Sequence, residues 1–352
     1  MSDRRSEVQL APAAGSLSRL LESGDARLPD SYAGYRAAVS ARLREFFAPF
    51  RGEVYDLCAY HLGWRDEQLR PIDQYDGKML RPALCLSACA GFGDPRDAVG
   101  VAASIELLHA FSLLHDDIED GDAERHGRPT LWKLFGLPLA LNAGDSMFSL
   151  AHRLLFEVVS ALPAARAARA QRIFSDACLR MIEGQHRDIE FESRPTVTTA
   201  EYVRMSKGKT GAVLGASLAL GALVGGAGDT ALDTLQAAGV ELGLAFQAVD
   251  DVLAIWGDPA ITGKAVGNDL ARGKKSLPVT LAQERGWQAA LDRITLDELR
   301  AELERSGARD AVQRFALEHA EAAQRGIDAA VPAAGARADL TALVRFTLAR
   351  KG

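Results

Sequence analysis

Apolar residues recur at three- and four-residue spacing along most of the chain, as in AAVSARLREFFAPF, AASIELLHAFSLLHDD and RIFSDACLRMIEG. This spacing places apolar side chains on one face of a helix. Clear runs of alternating residues rich in Val, Ile and Thr are missing, so no sheet is predicted. Prolines stand where helices would begin or end: Pro82, Pro129, Pro138, Pro195, Pro259 and Pro278. We predict an all-α protein, a single-domain bundle of ten or more helices.

The domain organisation is simple. Residues 1–30 read as a loose polar tail, and residues 31–352 as the all-α domain. No Ser- or Pro-rich linker divides this domain, and no internal repeat of solenoid length is present. The N-terminus has no apolar core of signal-peptide length, so neither secretion nor targeting is expected.

One segment is long enough to cross a bilayer. TGAVLGASLALGALVGGAG, residues 210–228, contains nineteen residues and no charge. It is unique in the chain, rich in Gly and Ala, and directly preceded by Lys207 and Lys209. We therefore interpret it as a buried core helix rather than a membrane span.

Charge and cysteine content exclude several classes of protein. The net charge of −6 argues against a nucleic-acid partner, because phosphate backbones select basic surfaces. The four cysteines form no CxxC pair, and Cys85 and Cys89 lie one helical turn apart as small core residues would. A reduced cytoplasmic protein without structural disulfides is the interpretation.

The most unusual stretch is SLLHDDIEDGD, in which carboxylates emerge from an apolar run. At 100° per residue, His109, Asp116 and Asp120 share one helical stripe. The acids fall in the last turn, where the helix dipole is also negative, so a compensating positive charge is required. A solvated acidic turn is the alternative, and it would account for Asp122 but not for the stripe. Carboxylates on adjacent turns suit Mg²⁺ held jointly with a phosphate-bearing substrate.

A second acidic pair, Asp250 and Asp251, closes another uncharged helical run, and Gln247 lies one turn before it. Two such clusters on separate helices suggest facing walls that hold several Mg²⁺ ions. Basic residues next to glycines suggest diphosphate cradles, in DGKMLRP, in KGKTGAV and in the Gly-rich loop GDPAITGKAVGNDLARGKKSLP. The alternative is that they are surface lysines, which we expect for Lys207 and Lys275. Neither GxGxxG after a strand nor GxxxxGK[ST] is present, so a nucleotide-binding loop is excluded.

Together these stretches resemble the trans-polyprenyl diphosphate synthases, the family of farnesyl and geranylgeranyl diphosphate synthases. LLHDDIED is similar to the first DDxxD motif, DGKMLRP to GGKxxRP, GKTGAVLGAS to the KT motif and EGQHRDIEFE to GQxxD. AFQAVDDVLAIWGDPAITGKAVGNDLARGKKSLP resembles the second aspartate-rich region and the lysine loop after it. The matches follow the family order from about residue 75 to 280. The resemblance implies the isoprenoid synthase fold, with helices around a central cavity.

The resemblance also implies roles for individual residues. Asp116, Asp120 and Asp250 would ligate three Mg²⁺ ions per active site, with Asp117 in support. The diphosphate of the allylic substrate would be bound by Arg125, Lys209, Thr210, Gln247 and Lys264. The diphosphate of isopentenyl diphosphate would be bound by Lys78, Arg81 and His109, with His126. Lys274 would be a further substrate-binding residue of the lysine loop, and Gln185 and Asp188 would lie near the metals.

Two residues depart from the family pattern. The sequence after the first motif is Arg125-His126-Gly127, where the family has Arg-Arg-Gly. His126 can donate a hydrogen bond and Arg128 is close, but contact with isopentenyl diphosphate should be weaker and more pH-dependent. Ala254 stands where the second motif expects Asp, which should loosen the shell of the third metal.

The expected activity is prenyl transfer. An allylic diphosphate would ionise beside Mg²⁺ and cationic side chains, and isopentenyl diphosphate would attack the cation in an apolar cavity. The alternatives are a class I terpene cyclase on the same scaffold, against which Lys78, Arg81 and His109 argue, and a non-catalytic subunit of a heteromeric synthase. The intact first motif argues against the second alternative. The family resemblance also suggests a homodimer.

Product length should depend on Phe111. This residue precedes Asp116 by five positions and lies about 7.5 Å deeper along the helix. In the family, a bulky aromatic at this position acts as a floor that limits elongation. Phe111 is followed by the small Ser112, which resembles geranylgeranyl more than farnesyl diphosphate synthases. The alternative is an ordinary core residue. We expect mainly twenty-carbon product, with fifteen-carbon product second.

Overall fold

A computed structural model of the chain describes residues 27–72, 77–257, 273–287 and 294–349. The first half of the chain contributes the helices α1 (Ser31–Phe47), α2 (Glu53–His61), α3 (Leu80–Ala90), α4 (Val99–Glu119), α5 (Leu131–Phe135) and α6 (Leu137–Val159). The second half contributes α7 (Ala164–Glu192), α8 (Thr199–Ser206), α9 (Ala212–Gly225), α10 (Asp229–Trp256), α11 (Leu277–Glu284), α12 (Leu296–Arg305), α13 (Ala308–Ala330) and α14 (Ala334–Ala349). The prediction of an all-α protein with ten or more helices is confirmed. Residues 1–26 of the predicted tail lie outside the described residues.

Among the described residues, a two-stranded hairpin departs from the helical pattern. β1 (Glu124–Arg125) pairs antiparallel with β2 (Arg128–Pro129) directly after α4. Its two turn residues, His126 and Gly127, have φ angles of 52° and 70°. Two left-handed residues give the turn whose twist matches antiparallel strands, and His enters this conformation more readily than most residues. Strands of two residues are too short to produce an alternating pattern, so no periodicity in the sequence predicts them.

The core is built around apolar helices that are buried on nearly every side. α9 packs against α3, α7 and α10, while α4 packs against α3 and α6. Within the described part of the chain, two helical stretches are long and apolar enough to cross a membrane, Pro95–Glu119 and Thr199–Gly225, and their most apolar windows are 72% and 78% buried inside the protein. Residues 210–225 are therefore apolar because they belong to a buried core helix.

Glycines allow the helices around the second aspartate pair to approach very closely. A Cβ atom at Gly243 of α10 would lie 2.4 Å from the Cα atom of Gly211, and one at Gly184 of α7 would lie 2.1 Å from the backbone nitrogen of Lys209. Gly211 and Lys209 belong to a single π-helical turn, Lys207–Gly211, which connects α8 to α9. The turn is therefore held between α7 and α10 at backbone contact distance. Such π-helical turns within helices are frequent at functional sites.

This close packing predicts that a single methyl group at Gly243 destabilises the fold. Gly243→Ala should lower the free energy of unfolding by about 1–3 kcal/mol, the usual cost of overpacking. The three atoms nearest to the new methyl group all belong to the backbone of Thr210 and Gly211, so they cannot move aside as a flexible side chain could. Gly34→Ala is the matched control, since nothing lies within 4 Å of its Cβ position in the exposed face of α1. It should leave the protein unchanged or more stable by about 0.5–1 kcal/mol. Thermal unfolding followed by circular dichroism measures both, and equal melting temperatures would contradict the close approach.

Candidate active site

The first acidic motif lies where α4 ends. The helix finishes at Glu119, Asp120 occupies its C-cap, and Gly121 follows with a φ angle of 65°, a left-handed residue of the kind that often stops a helix. Burial raises the pKa of Asp116, Lys209 opposes this shift, and the neighbouring charge of Asp120 adds to it. The carboxylates of Asp116 and Asp120 therefore repel each other, as their shared helical stripe predicts.

Two lysines supply positive charge to this motif. The Nζ atom of Lys209 lies 2.5 Å from Oδ2 of Asp188 on α7, and that of Lys274 lies 3.3 Å from Oδ2 of Asp120 and 3.7 Å from Oδ2 of Asp188. Burial by itself would lower the pKa of Lys209, but Asp188 and Asp116 raise it above its ordinary value. Burial likewise opposes, but does not outweigh, the two lysines that lower the pKa of Asp188. Carboxylates from α4 and α7 therefore share the cationic groups of the π-helical turn and of the segment before α11.

Asp117 turns away from this cluster. Its side chain is only 2% exposed, and its Oδ1 atom accepts a hydrogen bond of 2.6 Å from Nε of Arg125 in the hairpin. Burial raises the pKa of Asp117 to about 6, although Arg125 counteracts the shift. The adjacent aspartates thus differ in surroundings: Asp116 faces Lys209, while Asp117 holds the hairpin arginine against the end of α4.

The second acidic pair lies on α10, which continues to Trp256 rather than ending at the pair as the sequence suggested. Asp251 is 7% exposed and accepts hydrogen bonds from the hydroxyl of Tyr202 at 2.6 Å, the backbone N–H of Leu277 at 2.7 Å and Nε2 of Gln247 at 3.0 Å. Burial raises the pKa of Asp251 to about 6 against the opposing effect of these donors. Asp250 is less buried and adds its charge to the field on Asp251.

Thr210 and Gln247 are joined directly. The hydroxyl of Thr210 donates to Oε1 of Gln247 over 2.8 Å, so this threonine hydrogen is already engaged within the protein. Tyr202, which completes the network through Asp251, carries no signal in the sequence, because a lone tyrosine seven residues before Lys209 is indistinguishable from a core residue.

A second group of basic residues surrounds His109 of α4. The pKa of His109 is lowered well below its ordinary value by burial first, and then by the charges of Arg81, Arg125, His61 and His126. His61, at the end of α2, is similarly affected, and its pKa falls to about 3, mainly through burial. Both imidazoles are therefore neutral, and that of His61 is hydrogen-bonded to the backbone of Ala110. His61 was missed by the sequence reasoning because it lies outside every motif.

Arg128 does not compensate for the histidine at position 126. Its guanidinium donates to the backbone carbonyls of Tyr60 at 3.3 Å and Arg65 at 2.6 Å, and lies 4.3 Å from the centre of the Tyr60 ring. These contacts fasten the hairpin to the end of α2. Arg128 is thus used for attachment, while Arg125, opposite it in the hairpin, points to Asp117.

The remaining predicted residues are placed as follows. Lys78 precedes α3, and its carbonyl accepts a hydrogen bond from the hydroxyl of Tyr32. The guanidinium of Arg81 lies 5.9 Å from the centre of the Phe246 ring on α10. Gln185 donates to Oε2 of Glu119 over 2.7 Å, which joins α7 to the first acidic motif. Lys264 lies outside the described residues.

Phe111 belongs to a stack of rings beneath the acidic motif. It is 8% exposed, and its ring centre lies 4.7 Å from that of His115 and 5.0 Å from that of Phe148 on α6. Phe148 lies 4.7 Å from His152, which in turn lies 5.0 Å from Phe174 on α7. Ser112 contributes no ring, and its hydroxyl donates to the carbonyl of His109.

The acidic residues fit Mg²⁺ shared with a phosphate ligand. Among residues 27–72, 77–257, 273–287 and 294–349, no three carboxylate, imidazole or thiol groups converge into a cage that would hold a metal ion alone. Mg²⁺ usually binds one or two protein carboxylates and completes its shell with water and substrate phosphates. Asp116, Asp120 and Asp250 offer oxygen donors of this kind, and Lys209 and Lys274 beside them provide charge for the phosphates.

Comparison with known proteins agrees with this chemistry. Residues 64–310 match the family model described as polyprenyl synthetase. The chain is 43% identical over 262 residues to a geranylgeranyl diphosphate synthase of Mycobacterium tuberculosis, with 74% of each chain covered. It is 44% identical over 252 residues to a (2E,6E)-farnesyl diphosphate synthase of Mycobacterium bovis, a match that covers 71% of this chain and 69% of that one.

The fold is similar to that of solved structures as well. A geranylgeranyl pyrophosphate synthase from Corynebacterium glutamicum, complexed with isoprenyl diphosphate and magnesium, superposes with a TM-score of 0.77 at 26% sequence identity. The superposition covers 89% of this chain and 98% of that chain.

Proposed function

The chain belongs to the polyprenyl synthetase family and is a prenyltransferase, and we propose that it joins an allylic diphosphate to isopentenyl diphosphate and forms mainly geranylgeranyl diphosphate. The observation that carries this proposal is the presence of two groups of cationic residues along α4, one at its acidic end and one around His109. Lys209 and Lys274 lie among the carboxylates, Arg81 lies near His109, and Arg125 lies between the two groups, near both His109 and Asp116. Two diphosphate substrates need two such groups, and a terpene cyclase needs only one.

Three Mg²⁺ ions are the proposed cofactors. Asp116 and Asp120 would hold two of them and Asp250 the third. When bound, Mg²⁺ would stabilise the charge that develops on the departing diphosphate. The Corynebacterium glutamicum relative was solved with magnesium, and the all-oxygen donor set of these aspartates supports the same metal here.

The protein's own side chains would bind and orient both substrates. Lys209, Lys274 and Arg125 would attract the allylic diphosphate, which their charges stabilise most when the carbon–oxygen bond breaks. Lys78 and Arg81 would fix isopentenyl diphosphate so that its double bond faces the allylic carbon. A carbon–carbon bond then forms as diphosphate leaves, and a proton passes from the new chain to the departed diphosphate.

Binding of isopentenyl diphosphate would rely on fewer fixed charges than the family pattern provides. His126 replaces an arginine, and Arg128 is already occupied at the end of α2. Neutral His109 remains as a hydrogen-bond donor, whereas His61 already has the backbone of Ala110 as its partner. An approaching diphosphate would favour protonation of His109, because opposite charge raises a histidine pKa. The four cysteines are all free and buried, which supports a reducing cytoplasmic location.

The decisive test is a transfer assay with labelled isopentenyl diphosphate, each allylic primer and Mg²⁺. Wild type should incorporate label into prenyl diphosphate, and chelation of the metal should abolish incorporation. Asp120→Ala should lower turnover by more than about 10²–10³, the usual cost of one preorganised electrostatic group. Asp297→Ala, 92% exposed on α12, is the control that should retain activity. Conversion of a prenyl diphosphate alone into a hydrocarbon would instead identify a cyclase.

Product length provides a second prediction. Phe111 is proposed as the floor below the metals, with Phe148 as the next ring beneath it. Phe111→Ala should shift the twenty-carbon product to longer chains, with a loss of stability from the cavity. Phe315→Ala on α13, where the ring stacks on His319, should lower stability without changing the products. Chromatography of the dephosphorylated products measures both, and an unchanged distribution from active Phe111→Ala enzyme would contradict the assignment.

The third prediction concerns assembly. Large apolar side chains are exposed on α6 and α7, including Phe156 at 67% and Leu179 at 61%, with Ile182 and Ile189 nearby on the second helix. An apolar face of this kind is typical of an interface, which supports the homodimer that family resemblance suggests. Light scattering should give twice the 37.7 kDa of one chain. Phe156→Lys should shift the protein toward monomer, and Asp297→Lys should not; monomeric wild type would contradict the proposal.

A further inference from the structure

Asp251 is distinguished from Asp250 by its complete set of hydrogen-bond donors. Its Oδ2 atom accepts from the Tyr202 hydroxyl and the Leu277 N–H, and its Oδ1 atom accepts from Gln247. Each of these donors belongs to a different place: α8, the first residue of α11, and α10 itself. A buried carboxylate with three donors is already satisfied by the protein, so Asp251 has no need of a metal.

The carboxylate also fixes the direction of the hydrogen bonds that lead to Thr210. An ionised carboxylate can only accept, so Gln247 must turn its NH₂ group toward Asp251. Its carbonyl oxygen then faces Thr210, whose hydroxyl has to donate to it, as the contact of 2.8 Å requires. The lone pairs of Thr210, rather than its hydrogen, are consequently left for a cation or a donor such as water, and not for a diphosphate oxygen, which can only accept. The buried carboxylate of Asp251 thus sets the orientation of the Gln247 amide and, through it, of the Thr210 hydroxyl.

The contact with Leu277 extends this control to a lysine. The first N–H groups of a helix have no partner within the helix, and Asp251 accepts one of them at the start of α11. Lys274, three residues earlier, reaches Asp120 and Asp188 from this anchored point. The capping box of Thr198 and Glu201 fixes the start of α8 just before Tyr202, so the tyrosine ring enters from a well-defined helix end.

We propose that Asp251 and Tyr202 are positioning residues of the prenyl-transfer site, which orient Gln247 and Thr210 and anchor the segment that carries Lys274. Tyr202 is 2% exposed and fully enclosed, so it acts on the substrates through Asp251 and not by contact. The inference rests on the proposed function, because the oriented groups matter only if prenyl transfer takes place there.

A double-mutant cycle tests the inference. Tyr202→Phe keeps the ring and removes only the hydroxyl, and it should lower kcat by about tenfold, the rate equivalent of one hydrogen bond to a charged group, with little change in the KM for isopentenyl diphosphate. In a Thr210→Val background, the same change should lower kcat by clearly less than it does in wild type, because one of the groups that it orients is gone. When Tyr202→Phe is combined with Arg81→Lys in the other cationic group, it should lower kcat by the same factor as it does in wild type.

The outcomes separate the inference from the proposed function. Equal effects of Tyr202→Phe with and without Thr210, or no effect on kcat at all, would overturn the positioning role while leaving wild-type transfer intact. If the wild-type protein transfers no prenyl group, the proposed function is wrong, and the positioning role that rests on it is wrong as well. Asp251→Asn is the second variant: it preserves shape but introduces a donor, and it should be non-additive with Thr210→Val in the same assay. Thermal unfolding of each variant verifies that the folded protein is compared.

Discussion

Negative charge buried between helices is the constraint on which the rest of this structure depends. Carboxylates leave water at a large free-energy cost unless they gain opposite charge or hydrogen-bond donors. Near the end of α4, Lys209 and Lys274 provide opposite charge to Asp188 and Asp120. The positions of the π-helical turn and of the segment before α11 follow from this requirement, since each must bring one ammonium group to the same small volume.

The helix packing meets that requirement through backbone contact. The π-helical turn can present Lys209 to Asp188 because Gly184 allows α7 to approach the lysine backbone. On the opposite side, Gly243 permits α10 to approach close enough for Thr210 to contact Gln247. The glycines are thus part of the site, although none of them carries a functional group. A fold with wider helix spacing would leave the same side chains too far apart to act together.

In each acidic pair, one aspartate is held by several contacts within the protein. Asp117 holds Arg125, and Asp251 holds Tyr202, Gln247 and the start of α11. Adjacent residues on a helix point about 100° apart, so neighbouring carboxylates necessarily enter different surroundings. This division explains how two short motifs can supply both the groups that act and the contacts that position them.

The sequence by itself determined the helical class, the core nature of residues 210–225 and the clusters of the candidate site, because apolar periodicity and motif spacing are local properties of the chain. It did not reveal the hairpin at His126, whose strands are too short for a pattern, nor the hydrogen bonds by which Arg128 attaches this hairpin to the end of α2. It also contained no indication of Tyr202 or His61. It suggested that a helix ends at Asp250 and Asp251, whereas α10 continues to Trp256. These features depend on contacts between residues far apart in sequence, such as Tyr202 with Asp251 and Arg128 with Tyr60. Side-chain direction and hydrogen-bond partners arise only when the helices pack, and tertiary structure alone decides them.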